Sequence, residues 1–276
     1  MHRDHVVTLH GQRFHYTEWG EASAPVVVLL HGITGHARTW DDEAAALARR
    51  FRVLALDQRG HGDSDPAPDG DYRTSTLAED FAAFVDALDL RVFRLIGLSM
   101  GGRVAIAYTG RFPTRVEQLV IVDIGPDIGQ AGRARIGAGM AATPERFATL
   151  EQARAWIRGA NLTYSERALR QRVEHGLRPT DDGGWTWKYD RAIRDTIRQG
   201  RWSDPIDLWS PWCSLMCPTL LVRGAESDVL SAGMAKDMIE RCPPAQLVEV
   251  AGAGHAVPAE QPDRFLSVLG DFLGRT

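Results

Sequence analysis

Short apolar runs alternate with amphipathic segments along the first half of the chain. The run at 26–30 is continuous, which is typical of a strand buried on both faces of a sheet, and further mainly apolar runs at 92–96 and 116–122 predict buried strands as well. Between them, residues 76–88 repeat apolar side chains at helical spacing and so predict an amphipathic helix. The repeated order of strand and helix predicts an α/β protein with a twisted, mostly parallel sheet that has helices on both faces.

The first residues show a different pattern. Two short runs at 6–9 and 13–16 flank Gly11 and Gln12, and a glycine in a tight connection between two such runs indicates a β-hairpin. The hairpin predicts an antiparallel edge on the otherwise parallel sheet.

The alternation of strand and helix stops at Gly125 and Pro126. It resumes only with the apolar run at 219–222, after about ninety residues that are rich in arginine and tryptophan and show helical periodicity alone. A strand at 247–250 and a helix at 262–273 are predicted to close the chain. We therefore predict a core made of residues 1–125 and 210–276, with an inserted helical cap of residues 126–209.

Composition and charge narrow the class of protein. The 276 residues are 44% apolar and 25% charged, which suits a globular chain whose core needs no disulfide or metal. The formal net charge of −4 gives no electrostatic footprint for nucleic acid or for an anionic membrane, so neither is expected as a partner. The 27 glycines make up a larger share of the 276 residues than the usual ~7%. Several of them fall at the ends of predicted strands.

The N-terminus and the cysteines bear on location. The first ten residues lack the apolar core of a secretory signal, and the longest apolar run is far shorter than the ~20 residues that span a bilayer. The three cysteines cannot all pair with one another, and Cys213 and Cys217 lack the spacing of a zinc or redox motif. A cytoplasmic location is therefore expected.

A candidate nucleophile lies between a predicted buried strand and a helix. Residues 97–101 read Gly-Leu-Ser-Met-Gly, the G-x-S-x-G pattern of an elbow that exposes its central serine at the end of a strand. Side chains at Gly97 and Gly101 would collide with the neighbouring strand and helix, which explains both glycines. A dinucleotide-binding turn would instead require G-x-G-x-x-G, which this segment lacks. Ser99 is therefore the predicted nucleophile.

The His31-Gly32 turn, at the end of the first buried strand, is a candidate for binding an oxyanion. It would direct the backbone N–H of Ile33 towards the space above Ser99, where the N–H of Met100 forms a second donor. The His31 ring could instead hydrogen-bond only to the local backbone, a role that is compatible with the first.

His255 is the candidate base. It follows the last predicted strand in the segment Gly-Ala-Gly-His, and its place late in the chain suits the order nucleophile, acid, histidine. The competing histidines, which lie in nearby loops, are His31, His36 and His61.

Two aspartates compete for the role of the acid. Asp123 ends the strand that follows the nucleophile, and Asp228 follows the strand after the cap. Both lie where parallel strands end, so both could reach a histidine above the sheet.

The serine elbow, the His-Gly turn and the late Gly-His resemble those of the α/β-hydrolase superfamily, and segments 57–65 and 177–184 are similar to those of some capped esterases within it. The resemblance covers nearly the whole chain and implies the α/β-hydrolase fold. In many relatives the acid stands three residues after the glycine of the second turn, which is Ser227 here, so Asp228 is one residue out of register. The similar capped esterases take their acid from the position that matches Asp123, and the resemblance therefore implies Asp123.

Several other residues have a structural and a functional interpretation. Arg59 and the glycines of the loop at 57–64 are expected to hold the loop rather than to bind substrate. Aromatic residues of the cap are expected to pack its helices rather than to line an acyl pocket, and its arginines are expected to face solvent rather than to bind a substrate carboxylate. The cap residues concerned are Trp185, Trp187, Lys188, Tyr189, Arg133, Arg135 and Arg154.

Together these residues predict a serine hydrolase of carboxylic esters or lactones that acts on a small molecule with an acyl carbonyl. His255 would remove the proton of Ser99, and Asp123 would orient His255. Amide or carbon–carbon cleavage, or cofactor-free perhydrolase or haloperoxidase activity, is an alternative on the same groups, and a non-hydrolytic receptor is an alternative of another class. No metal or organic cofactor is expected, and the protein is expected to be a monomer or homodimer.

Overall fold

The computed structural model of the chain describes residues 2–199, 205–242 and 244–274. Six strands precede the cap: β1 (Arg3–Leu9), β2 (Gln12–Trp19), β3 (Val26–Leu30), β4 (Arg52–Leu56), β5 (Phe93–Leu98) and β6 (Val116–Val122). The helices among them are α1 (Asp41–Leu47), α2 (Thr74–Ala87) and α3 (Met100–Arg111). The predicted helix at 76–88 corresponds to α2, which begins slightly earlier than the periodicity indicates.

The segment predicted as the cap, residues 126–209, follows β6, and we keep the name cap for it below. Its helices are α4 (Gln130–Ala142), α5 (Leu150–Ala160), α6 (Glu166–Gly176) and α7 (Arg191–Arg198). Three short strands, β7 (Arg146–Phe147), β8 (Leu177–Pro179) and β9 (Trp185–Trp187), form an antiparallel sheet in the order β7-β9-β8. This sheet adds to the helices predicted for residues 126–209, because strands of two or three residues are too short to show a period of two.

The chain then returns to the core. The remaining elements are α8 (Trp209–Cys213), β10 (Thr219–Gly224), α9 (Ala232–Arg241), β11 (Ala245–Val250), α10 (Val257–Glu260) and α11 (Pro262–Leu273). None of the helices in the described ranges is long and apolar enough to cross a membrane.

The core strands form one eight-stranded sheet in the order β1-β2-β4-β3-β5-β6-β10-β11. β2 pairs antiparallel with β1 and with β4, and the other neighbouring pairs are parallel. The predicted hairpin is therefore confirmed as the antiparallel edge, and its two-residue turn has positive φ at both His10 (50°) and Gly11 (78°), as the tightest hairpins require.

Apolar side chains cover both faces of the sheet. Alternate residues of β3 divide between two clusters: Val28 and Leu30 pack on one face with α2 and α3, and Val27 and Leu29 pack on the other with α11. The strand is buried on both sides, which explains why its sequence is continuously apolar rather than alternating. Because β3, β5, β6, β10 and β11 are parallel, the loops that follow them meet at one edge of the sheet.

A buried ion pair holds the loop at 57–65 against α2. The Arg59 guanidinium donates two hydrogen bonds to the Asp80 carboxylate, one of them at 2.6 Å from Nη2 to Oδ1, and a third to the carbonyl of Asp71 at 3.2 Å. Both charged side chains are almost fully buried. Arg59 therefore shapes this loop, in agreement with its expected structural role.

We expect Asp80→Ala to lower the free energy of unfolding by about 3–5 kcal/mol, because it leaves the charge of Arg59 buried without its partner. The matched control is Asp86→Ala on the same helix, which removes an exposed ion pair with Arg115 and should cost no more than about 1 kcal/mol. Urea denaturation of both variants measures the two losses. Similar small losses for the two variants would contradict the assigned importance of the buried pair.

Candidate active site

Ser99 lies at a sharp turn between β5 and α3. It is the N-cap of α3, with φ 53° and ψ −116°, a conformation that costs a non-glycine residue about 1–3 kcal/mol. A Cβ at Gly97 would lie 2.4 Å from the carbonyl oxygen of Gly101, and a Cβ at Gly101 would lie 2.4 Å from that of Leu30. The two glycines therefore allow β3, β5 and α3 to approach closely enough to form the predicted elbow.

Two hydrogen bonds connect Ser99, His255 and Asp123. His255 Nε2 lies 2.9 Å from Ser99 Oγ, and His255 Nδ1 lies 2.8 Å from Asp123 Oδ2. These distances suit an imidazole that donates from Nδ1 to the carboxylate and accepts the Ser99 hydroxyl at Nε2. The structure therefore brings together all three residues predicted as nucleophile, base and acid.

The Asp123 carboxylate is fully buried but well supplied with donors. Its Oδ1 accepts a hydrogen bond from the Gly224 amide at 2.9 Å, and its Oδ2 accepts one from the hydroxyl of Ser227 as well as from His255. Ser227 is the position at which many relatives were expected to carry the acid. Its role as a donor to Asp123 was not predicted, since the residue type alone gives no sign of which carboxylate it contacts.

Asp228, the competing acid, points towards the cap. Its Oδ1 lies 2.6 Å from Nε of Arg135 on α4, and both side chains are partly exposed. In the described part of the chain, Asp228 forms no hydrogen bond with His255. Ser227 and Asp228 are neighbours in sequence, but the side chain of Ser227 points towards Asp123 and that of Asp228 points towards α4.

The predicted oxyanion donors border the same cavity as Ser99. The backbone of Ile33 belongs to a turn closed by a hydrogen bond of 2.9 Å from the Gly35 amide to the Gly32 carbonyl, and Met100 is the first residue of α3. The first amides of a helix have no acceptor within it, so the Met100 N–H is free of the α3 hydrogen-bond pattern. Both amides are therefore suited to bind a developing negative charge.

The competing histidines are buried, and burial lowers the pKa of His31, of His36 and of His61, the last to about 3. The His31 ring supports its own turn: Nδ1 donates to the Gly32 carbonyl at 2.8 Å, and Nε2 accepts from the Gln58 amide at 3.1 Å. The ring and backbone roles considered for this turn are therefore compatible in the structure.

A cavity of about 280 Å³ opens over Ser99. Core loops and cap helices α4 and α7 contribute an apolar wall. The remainder of the lining is polar and includes the charged residues Asp71, Arg73 and Arg103. The apolar wall consists largely of Ile33, Ile124, Ile128, Ile136, Ile193 and Ile197. Sequence reasoning named Ile33 only for its backbone amide and missed the other five, because the cap residues among them come from separate segments and belong to ordinary amphipathic patterns.

The aromatic residues predicted to pack the cap do so. Trp187 and Tyr189 belong to the apolar cluster of the cap, with Trp185 packed against it, and Lys188 pairs with Asp63 at 2.7 Å. None of them lines the cavity over the nucleophile.

The three arginines considered as ligands for a substrate carboxylate have partners within the protein and do not line that cavity. The pairs are Arg133 with the carbonyl of Ile128 at 2.9 Å, Arg135 with Asp228, and Arg154 with Glu166 at 2.9 Å.

One group of metal-ligating side chains lies together among the described residues: His15, Asp57 and Asp63. The side chains of this group already have partners within the protein. His15 Nδ1 hydrogen-bonds with Asp57 at 2.7 Å, and Asp63 pairs with Lys188. Asp57 also accepts a hydrogen bond from the amide of Ala37. These contacts join the N-terminal hairpin to the loop after β4, and we assign no metal to the group.

A second cavity, of about 110 Å³, also borders the Gly32–Gly35 turn. Glu43 of α1 and Arg172 of α6 are among the residues that line it. Glu43 is almost fully buried, and burial raises the pKa of its carboxyl to about 8. This carboxyl is therefore largely neutral at pH 7.

Comparisons with known proteins place the chain in a family. A family model described as the alpha/beta hydrolase fold matches residues 25–262. The chain is 31% identical to N-formylmaleamate deformylase of Pseudomonas putida, over 97% of this chain and 95% of that protein. It is 30% identical to an esterase of Mycobacterium tuberculosis, over 92% of this chain and 84% of the relative.

A solved structure is also similar. The crystal structure of E-2-(acetamidomethylene)succinate hydrolase has a TM-score of 0.90 with this chain at 27% identity, and the match covers 99% of this chain and 100% of the other. A 2-(acetamidomethylene)succinate hydrolase of Mesorhizobium japonicum is 28% identical over 92% of this chain and 89% of the relative.

The buried carboxyl of Glu43 should make stability depend on pH. Because the pKa of Glu43 is higher in the folded than in the unfolded chain, its contribution is favourable below about pH 4.5 and is lost as the pH rises towards about 8. We expect the free energy of unfolding of Glu43→Gln to exceed that of wild type by about 3 kcal/mol at pH 7. At pH 4.5 the difference should be much smaller. Urea denaturation at both pH values measures this difference. A difference that does not change with pH would contradict the raised pKa.

Proposed function

The chain belongs to the α/β hydrolase fold family, and from this premise we propose that it is a serine hydrolase that cleaves a carboxylic ester or lactone through an acyl-enzyme on Ser99. The observation that carries the proposal is the continuous pair of hydrogen bonds from Ser99 Oγ through His255 to Asp123, at 2.9 and 2.8 Å. A serine is a weak nucleophile at neutral pH, and an adjacent base that is itself oriented by a carboxylate activates it.

In the proposed acylation step, Ser99 Oγ attacks the carbonyl carbon while His255 Nε2 takes the hydroxyl proton. The carbonyl oxygen becomes an oxyanion, which the amides of Ile33 and Met100 stabilise. Loss of one such donor costs other enzymes about 3–4 kcal/mol of transition-state stabilisation. His255 then gives its proton to the leaving oxygen, so the ester bond breaks and the alcohol departs.

In the proposed deacylation step, water attacks the acyl-enzyme. His255 Nε2 takes a proton from this water, the carbonyl oxygen again binds at the two amides, and collapse of the intermediate returns the proton to Ser99 Oγ. Throughout, Asp123 keeps the Nδ1 proton of His255 in place and stabilises the imidazolium form. The carboxylic acid product then leaves through the cavity.

The cavity lining and one relative support an ester as the substrate. Six isoleucines near Ser99 offer an apolar surface that suits the acyl chain of an ester, and the charged residues Asp71, Arg73 and Arg103 also line the cavity. The similar esterase of Mycobacterium tuberculosis acts, by its name, on esters. Amide hydrolysis is the second candidate, because the similar protein of Pseudomonas putida is named a deformylase of N-formylmaleamate.

We also propose the class of partner, the location and the oligomeric state of the protein. The net charge of −4 supports a small-molecule substrate rather than nucleic acid or a membrane surface. The three cysteines are free thiols, of which Cys217 and Cys242 are buried, and this supports a cytoplasmic location. We also propose that the protein is a monomer or homodimer.

We expect Ser99→Ala to reduce turnover of p-nitrophenyl acetate and butyrate by about a hundred-thousandfold or more, because no nucleophile remains. A fluorophosphonate probe should label wild type at Ser99, as located by mass spectrometry of the labelled peptide, and should not label the variant. The matched p-nitroanilides distinguish ester from amide cleavage. Full turnover of the esters by Ser99→Ala would end the proposal.

The two aspartates give a second test. Asp123→Asn should lower kcat by about a thousandfold to ten-thousandfold, because the amide no longer stabilises the correct tautomer and the charged form of His255. Asp228→Asn is the control and should change kcat by no more than about threefold, since its exposed contact with Arg135 lies outside the hydrogen-bond chain. Steady-state kinetics on p-nitrophenyl butyrate compares them, and the reverse ranking would transfer the role of the acid to Asp228.

A further inference from the structure

The turn that carries the Ile33 amide is strained at its next residue. Thr34 has a φ of 61°, in the left-handed region that β-branched residues avoid. Strained conformations of this kind persist only where the surrounding structure holds them. The hydrogen bond between the Gly35 amide and the Gly32 carbonyl closes the turn but does not contact Thr34 itself.

Arg172 of cap helix α6 contacts Thr34 at two points. Its Nη2 donates to the hydroxyl of Thr34 at 2.7 Å, and its Nη1 donates to the backbone carbonyl of Thr34. The guanidinium group presents these donors in a rigid planar fork, which fixes both acceptors together. One cap side chain therefore holds both the side chain and the backbone of the strained residue.

Arg172 is itself held from the cap. Its guanidinium carbon lies 5.3 Å from the centroid of the Trp187 ring on β9, a distance at which cation and ring attract each other. Among the described residues, Arg172 has no carboxylate partner within ion-pair distance. Its donors are therefore directed at the turn rather than at a neighbouring acid.

We propose that Arg172 is a positioning residue for hydrolysis, an inference that rests on the proposed function of Ser99. His31 holds the Gly32 carbonyl at 2.8 Å on one side of Ile33, and Arg172 holds the Thr34 carbonyl on the other. The Ile33 amide between them is thereby kept in the orientation that binds the oxyanion. The cap completes the oxyanion hole through this side chain, in addition to forming a wall of the cavity.

A purely structural role for Arg172 would be to hold the cap on the core, and a neighbour on the same helix separates the two roles. Arg167, also on α6, pairs with Asp42 of α1 at 3.5 Å and therefore joins the cap to the core in a similar way. It forms no hydrogen bond with the Gly32–Gly35 turn in the described structure. Arg167→Gln is thus a matched control for Arg172→Met.

The test compares Arg172→Met, Arg172→Lys, Thr34→Val and Arg167→Gln with wild type. Arg172→Met should lower kcat for p-nitrophenyl butyrate by about 10- to 100-fold while KM changes by less than about threefold, because the contact acts on the transition state. Arg172→Lys should recover part of the lost kcat. Thr34→Val should also lower kcat in part, although it changes no cap residue. Arg167→Gln should keep kcat within about twofold of wild type.

Inhibitor binding gives a readout that cap stability alone would not move. Phenylboronic acid forms a tetrahedral adduct with an activated serine and places an oxygen at the oxyanion position, so its affinity for Arg172→Met should fall in proportion to kcat. The affinity for butyrate, the reaction product, should stay within about threefold of wild type. Urea denaturation confirms that each compared variant is folded.

The outcomes separate this inference from the proposed function. Unchanged kcat and boronate affinity in Arg172→Met and Thr34→Val, with active wild type, would overturn the inference and leave the hydrolase proposal intact. A change confined to KM would assign Arg172 to substrate binding and would also overturn it. A wild type that neither turns over esters nor binds the boronate would overturn the proposed function first.

Discussion

The buried carboxylate of Asp123 is the group on which the arrangement of the site depends. A carboxylate removed from water is costly unless donors surround it. Here the donors come from three separate segments: the amide of Gly224 at the end of β10, the hydroxyl of Ser227 in the following loop, and the ring of His255 after β11. These segments meet at Asp123 because β6, β10 and β11 are neighbours in the sheet. The strand order therefore also determines the orientation of the His255 ring.

The cap contributes to the same site in two distinct ways. It has an apolar cluster of its own around Trp187, and a smaller cluster of Met140, Ile193 and Ile197 packs against Ile33 and Tyr72 of the core. Its contacts with the core include polar ones such as Lys188 with Asp63 and Tyr72 with Asp190. In the proposed reaction, the isoleucines that α4 and α7 place over Ser99 bear on which acyl group fits, whereas Arg172 bears on the geometry of the oxyanion turn. Substrate choice and oxyanion binding thus depend on different residues of one insertion.

The local sequence pattern was sufficient for some parts of the site and not for others. Ser99 and His255 could be predicted because each follows a strand in a glycine-rich turn, and such turns impose their own backbone geometry. The choice between Asp123 and Asp228 could not be made locally, since a loop pattern does not determine which way each side chain points; the resemblance to capped esterases favoured the residue that the structure places beside His255. The cap sheet and the isoleucine wall were missed because they depend on tertiary contacts between short or distant segments.

Backbone strain is concentrated at the site and is supported by different parts of the molecule. Five described non-glycine residues have positive φ, and three of them, Thr34, Ser99 and Asp123, lie at the site. At about 1–3 kcal/mol each, their combined cost is comparable with the net stability of a domain, so each must be held by its surroundings. The core sheet holds two of them: the Ser99 amide donates to Val122 at 3.0 Å, and the Asp123 amide donates to Val222 at 2.8 Å. At Thr34 the carbonyl and the hydroxyl are held from outside the sheet, by the cap. Ser99 and Asp123 are therefore supported by the core, whereas the turn that carries the Ile33 amide depends on the position of the cap.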